Sequence, residues 1–202
     1  MNLTILTDNF DLLINTLIKN DVGICPDFIT QKVAKDLQNS LLQVYRNNEM
    51  KTAGIGNTKG SNTNSLIRKD KIFWLDKNHD NAAENLFFVL IESFIKHLNR
   101  TCYAGITSYE FHYALFETGS FYKKHIDQFS NDSKRKYSFI LYLNDNWKEA
   151  DGGELRVYHT DSFEDIQPKS ATCVFFKSNH LEHEVLISQA PRMSIAGWLK
   201  ID

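Results

Sequence analysis

The sequence predicts a mainly β fold, a double-stranded β-helix (jelly-roll) barrel with supporting α-helices, and three observations carry that prediction. From about residue 106 onward, short runs rich in β-branched and aromatic residues recur, separated by turn residues at Asn144-Asp145-Asn146, Gly152-Gly153 and Pro168. That rhythm suits an eight-stranded jelly roll. Ahead of it lies one long, strongly apolar pattern with helical spacing. Finally, His125, Asp127, His183 and Arg192 fall on successive predicted strands, which gathers residues with metal and anion chemistry at one mouth of the barrel.

The elements follow in order. Asp8 or Asn9 caps a first helix with Leu12, Leu13, Thr16 and Leu17 at helical spacing, ending near Asn20. Residues 22–28 form a short strand interrupted at Pro26, and Thr30 opens a second helix with Val33, Leu37, Leu41 and Val44 on one stripe, closing near Asn48. Residues 50–64 hold Gly54, Gly56 and Gly60 among Asn, Ser and Thr with almost no apolar periodicity, so this is a loop. No Gly-Lys-Ser/Thr opens a helix there, which excludes a phosphate cradle. Its length suggests a binding loop, and residues 50–66 are expected to close over a bound substrate. Residues 71–75 form a strand, and residues 81–99 a bracing helix through Leu86, Phe87, Leu90, Ile91, Phe94, Ile95 and Leu98. Strands follow at about 106–116, 121–126, 136–143, 154–158, 163–166, 172–176, 182–187 and 192–200.

Composition bounds the function. A chain of 202 residues, 42% hydrophobic and 12% aromatic, is long enough for one packed domain: 1–100 mostly helical support, 101–202 the barrel. Lys+Arg 23 against Asp+Glu 25 gives a net charge of −2, with no basic surplus for nucleic acid. Three separated cysteines, Cys25, Cys102 and Cys173, argue against a disulfide framework and for a reducing compartment, the cytoplasm. No apolar run reaches the roughly 18 residues of a membrane span, so no membrane partner is expected. The oligomeric state is not legible.

In an extended segment, residues i and i+2 share a face, so His125 and Asp127 can hold one ion from a single strand end. His183, 183 − 125 = 58 positions on, completes two imidazoles and a carboxylate. That is the facial set of non-haem Fe(II) oxygenases. Arg192 follows on the next strand with Ser194 on its face, and a five-donor guanidinium suits the far end of a dicarboxylate, with the Tyr142 phenol able to donate as well. The remaining histidines lack such support: His79 and His97 read as solvated, His112 and His159 as strand or turn residues without a carboxylate partner, and His180 as a rim residue.

The runs Glu117-Thr-Gly-Ser-Phe-Tyr-Lys-Lys-His-Ile-Asp127, Phe139 to Trp147, Asp151-Gly-Gly-Glu-Leu155, His183-Glu-Val185 and Pro191-Arg-Met-Ser-Ile-Ala-Gly-Trp198, with Ile67 to Trp74 upstream, resemble the 2-oxoglutarate- and Fe(II)-dependent prolyl hydroxylases. Within that superfamily they are most similar to the Egl-nine (hypoxia-factor) type and its bacterial relatives. The resemblance implies Fe(II), 2-oxoglutarate and O2 as cofactors, ascorbate as reductant, release of succinate and CO2, and a proline-containing protein or peptide as substrate. It implies His125, Asp127 and His183 as metal ligands, and Arg192 and Tyr142, beside Ser194, as the clamp for the distal carboxylate. Trp198 would line the mouth, Asp70 would pair with Arg135 to position a substrate-facing loop, and Tyr122 would face the substrate. Arg135 and Tyr142 differ in strand parity, so Arg135 must precede the strand or lie beyond a bulge. One departure is Phe116, where relatives often carry tyrosine; Tyr113 or Tyr122 would have to supply the missing hydrogen bond. A free small molecule as substrate, a cupin-like metalloprotein without 2-oxoglutarate, and a silent binding module are the alternatives. Because the ligand imidazoles bind neutral, iron affinity is expected to fall below about pH 6.5.

Overall fold

The computed structural model describes residues 3–54, 66–128 and 133–202. Two antiparallel sheets face each other, and helices cover the outer face of the larger one. The chain runs α1 (Leu3–Asn20), β1 (Val22–Cys25), α2 (Gln31–Arg46), β2 (Lys51–Thr52), β3 (Lys71–Trp74) and α3 (Ala82–Cys102). It continues through β4 (Ser108–Phe116), β5 (Tyr122–His125), β6 (Arg135–Tyr142), β7 (Leu155–Tyr158), β8 (Phe163–Ile166), β9 (Cys173–Lys177), β10 (His183–Val185) and β11 (Arg192–Lys200). The order β1-β9-β6-β11-β4-β3-β2 makes the large sheet, and β5-β10-β7-β8 the small one.

All eight strands expected after residue 106 are present, and strand alternation decides what each face does. Tyr113, Ile195, Leu199, Phe139 and Phe175 turn toward the helices and are fully buried. There the rings of Phe87 and Phe111 stand edge to face at 5.0 Å, and those of Phe94 and Phe175 at 5.1 Å. Removing a ring from this layer, as in Phe94→Ala, costs about 3–5 kcal/mol. The opposite face looks across to the small sheet and encloses the cavity described below. Between Leu199 and Lys200 the β11–β6 register shifts, so that Leu199 opposes Tyr137 and Lys200 opposes Arg135. This bulge resolves the parity conflict between Arg135 and Tyr142.

Helix signals were accurate where a polar side chain caps the backbone. Thr30 Oγ1 accepts from Val33 N at 3.3 Å, and Asn81 Oδ1 accepts from Ala83 and Glu84 N–H groups at 3.0 and 3.1 Å. The first helix differs: it starts by Leu3, and Asn9 is no cap. Its amide instead donates to the carbonyls of Asp27 and Phe28, tying α1 to the turn before α2. The expected strand near residue 22 is β1, which pairs with β9, whereas Lys51–Thr52, expected inside a loop, pair with β3. Most of the expected substrate-closing loop, residues 55–65 of 50–66, lies outside the described residues.

Candidate active site

The antiparallel register of β10 against β5 sets His183 directly opposite His125, which closes the gap of 58 residues. Asp127 sits two residues beyond His125, just past the strand end. The donor atoms of the three side chains lie within 4.8 Å of one another. Asp127 Oδ1 is 3.5 Å from His125 Nε2, and Oδ2 is 3.7 Å from His183 Nε2.

Main-chain carbonyls orient both rings: His125 Nδ1 donates to Lys123 O at 2.7 Å, and His183 Nδ1 to Leu181 O at 3.0 Å. With the proton on Nδ1, each Nε2 lone pair is free for a metal. Ser138 Oγ donates to Asp127 Oδ2 at 2.6 Å and lies 2.9 Å from Ser178 Oγ. Burial pushes the His183 imidazole down to about 4, which keeps it neutral well into acid. Burial alone would raise the Asp127 carboxyl, but His183, His125 and Ser138 outweigh it and hold the group well below the carboxylate range. A neutral, neutral, anionic donor set of this composition fits a divalent iron.

Arg192 opens β11, buried to 2% exposure. Its Nε donates to Gly153 O at 2.8 Å, and its guanidinium carbon lies 4.9 Å from the Tyr142 ring centre and 5.0 Å from that of Phe116. Gly153 has φ +66°, and a Cβ there would come 2.8 Å from Ser188 Oγ and 3.1 Å from Arg192 Cδ, so the turn must be glycine. Ser194 pairs with Tyr142 across β11–β6. The Tyr142 hydroxyl is buried without a hydrogen-bond partner among the described residues. Such an orphan costs about 1–3 kcal/mol unless a ligand supplies the partner.

A cavity of about 210 Å³ joins these two ends, lined by His125, Asp127, His183, Arg192, Ser194, Trp198, Arg135, Asp70 and Tyr122. Of the residues assigned to the metal, co-substrate and substrate in the sequence, Tyr142 is the one that does not line this cavity. The pairing of Asp70 with Arg135 is corrected. Asp70 is 1% exposed and takes Arg68 in a fork, Nε to Oδ1 at 2.7 Å and Nη2 to Oδ2 at 2.5 Å. Arg135 donates to Glu110 Oε1 at 3.1 and 2.8 Å and to Asp127 O at 3.3 Å, with its guanidinium 3.4 Å from the Trp198 ring centre. The reason is reach: Arg68 lies two residues from Asp70 on one side of the chain, whereas Arg135 is held by the β4 carboxylate. Tyr122 stacks on His125 at 3.6 Å, with Arg68 4.3 Å from the same ring. Phe116 borders Arg192, and of its two proposed substitutes Tyr122 lines the cavity while Tyr113 turns to the helix side.

One histidine differs from expectation: His97 is 7% exposed and bonds Asp11 at 2.7 Å. His112 is a strand residue without a carboxylate partner, as expected, and is in addition a buried cavity residue at 5% exposure. The sequence reading missed Arg68, Trp74, His112 and Ser138; only Arg68, two residues before Asp70, carried a local signal.

Residues 110–200 match the sequence profile of the 2OG-Fe(II) oxygenase superfamily. Two curated relatives are the prolyl 3-hydroxylases OGFOD1 of Xenopus laevis, 35% identical over 75 residues, and of Mus musculus, 39% identical over 77 residues. Each match covers 32% of this chain and only 15% or 14% of the relative. Among solved structures, a Pseudomonas putida prolyl-4-hydroxylase superposes with TM-score 0.86 at 26% identity, covering 96% of this chain and 99% of that one. A Trichoplax adhaerens prolyl hydroxylase, in complex with a hypoxia inducible factor peptide fragment, gives 0.87 at 24%, covering 99% and 94%; at that identity the likeness is one of fold.

Proposed function

We propose that this chain, whose residues 110–200 match the 2OG-Fe(II) oxygenase superfamily, is a prolyl hydroxylase, acting on proline within a peptide or protein with release of succinate and CO2. One observation supports this most: a single cavity has the His125–Asp127–His183 donor set at one end and the buried Arg192 at the other, with the Tyr142 ring packed behind that guanidinium. A chelating dicarboxylate has a use for both ends. The names of the relatives, prolyl 3- and prolyl 4-hydroxylases, support proline as the target.

In this reading Fe(II) with 2-oxoglutarate and O2 supplies the oxidising power that inserts oxygen into an unactivated C–H bond. Everything else falls to the chain. His125, Asp127 and His183 hold the metal, and their carbonyl and hydroxyl partners fix which atoms face it. Arg192 grips the distal carboxylate with Tyr142 donating a further bond and Ser194 beside them. The indole of Trp198, stiffened by Arg135, forms the wall against which the target residue lies. Tyr122 braces His125, and Asp70 with Arg68 shapes the rim that meets the substrate. The barrel walls exclude water from the reacting carbon. We further propose residues 1–202 as one unit whose 101–202 half is catalytic, ascorbate as the reductant that keeps iron divalent, and the cytoplasm as the compartment, which the three free thiols favour. No helix among the described residues is long and apolar enough to cross a membrane.

The test is mass spectrometry of prolyl peptides incubated with the Fe(II)-loaded protein, 2-oxoglutarate and O2. One added oxygen atom on proline, with equimolar succinate, is expected. Succinate without any modified peptide, but with a modified small molecule, would contradict the prolyl assignment.

A further inference from the structure

Resting on the reading of this cavity as a peptide-binding oxygenase site, we infer that His112 is a substrate-binding residue, which takes a main-chain amide of the peptide beside the residue to be modified. His112 occupies the middle rung of the large sheet, opposite Trp74 on β3 and Ala196 on β11. Its ring is 5.0 Å from that of Trp74 and 5.6 Å from that of Trp198, and all three line the cavity. Trp74 is 47% exposed and marks the rim, whereas His112 is 95% buried and marks the wall.

Within this aromatic sandwich the polar atoms are unsatisfied. Both His112 Nδ1 and Trp198 Nε1 are buried without a hydrogen-bond partner among the described residues. A stacking role alone would be met better by phenylalanine, which leaves nothing unpaired. A neutral imidazole has one N–H and one lone pair, and the indole adds a second N–H. A peptide amide, with a carbonyl acceptor and an N–H donor on one rigid plane, is the complementary group. Burial lowers the His112 imidazole to about 4, so the neutral ring persists across the physiological range. Two flanking indoles suit the apolar faces of the neighbouring side chains.

The experiment compares wild type with His112→Phe, which keeps the stacking and volume, and His112→Gln, which keeps a donor and an acceptor. The probes are end-capped prolyl peptides and analogues in which a single amide is replaced by an ester. Steady-state KM for peptide is expected to rise roughly three- to tenfold in His112→Phe, the effect of one neutral hydrogen bond. KM for 2-oxoglutarate should stay constant, and His112→Gln should recover part of the loss. One ester position should weaken wild type and leave His112→Phe unaffected. In the Zn(II)-loaded protein the ring nitrogen resonances of His112 should shift on peptide binding. An unchanged peptide KM in His112→Phe, or unmoved resonances with every peptide, would overturn the assignment. If a bound peptide is modified at a residue other than proline, the prolyl reading fails while the KM comparison still decides the role of His112.

Discussion

The two ends of the cavity are built on opposite terms. At the metal end each donor is already committed: His125 and His183 donate to Lys123 and Leu181 carbonyls, and Asp127 accepts from Ser138. Toward the clamp and the mouth, the Tyr142 hydroxyl, His112 Nδ1 and Trp198 Nε1 are buried without a hydrogen-bond partner among the described residues. The candidate metal donors are thus pre-set by the fold, whereas the proposed co-substrate and substrate would complete the rest. A protein pays in stability for such unpaired atoms, and the difference separates variants that weaken metal binding from variants that weaken co-substrate or substrate binding.

The comparison breaks first at the metal. His183→Ala should lower Fe(II) affinity by more than the roughly 10–100-fold typical of an outer partner, read by calorimetric titration under anaerobic conditions; unchanged affinity would remove His183 from the ligand set. Next comes acid. A histidine whose proton affinity falls on folding binds fewer protons in the folded than in the unfolded chain, so stability is lost as pH falls. For His112 the loss begins near the ordinary value of about 6.5 and is complete near 4, on the order of 3 kcal/mol at the limit. His183 has the same sign. Denaturant midpoints of the metal-free protein should therefore fall more between pH 7 and 4.5 in wild type than in His112→Phe; parallel curves would contradict the burial argument.

Ser138→Ala sharpens the metal end, since it frees Asp127 Oδ2 while leaving all three ligands. About tenfold weaker Fe(II) binding is expected, and no change would mean that Ser178 and the backbone suffice to orient Asp127. Smallest in energy is Tyr142→Phe. Deleting an unpaired buried hydroxyl should stabilise the metal-free protein by about 1 kcal/mol while raising KM for 2-oxoglutarate. Destabilisation in that variant would show that the hydroxyl is satisfied without ligand.

What the sequence disclosed follows the same division. Period-two alternation in 192–200 put Ser194 on the face of Arg192, and both line the cavity while Ile195 and Leu199 on the other face are core. The spacing of His125, Asp127 and His183 was legible since strand ends and turn residues punctuate it. The partners of Asp70 and Arg135 were not. Which carboxylate an arginine reaches depends on register between strands far apart in sequence, and Glu110 on β4 captured Arg135. His97 and His112 escaped for a similar reason: a lone histidine carries no local sign of burial, and only the packing of α1 against α3 and the rung shared by Trp74 and His112 reveal it. The start of α1 was misplaced because Asn9, a good cap by type, is used to bind a turn across the fold.

The most direct measurement is succinate formation from 2-oxoglutarate by the Fe(II)-loaded protein, compared between wild type and Arg192→Ala with and without prolyl peptides. Turnover in wild type, raised by peptide, with KM for 2-oxoglutarate increased about 100-fold or more in the variant, is the predicted result for loss of a buried charged clamp. Equal turnover and equal KM in Arg192→Ala would contradict the account, because the two ends of the cavity would then not share one ligand.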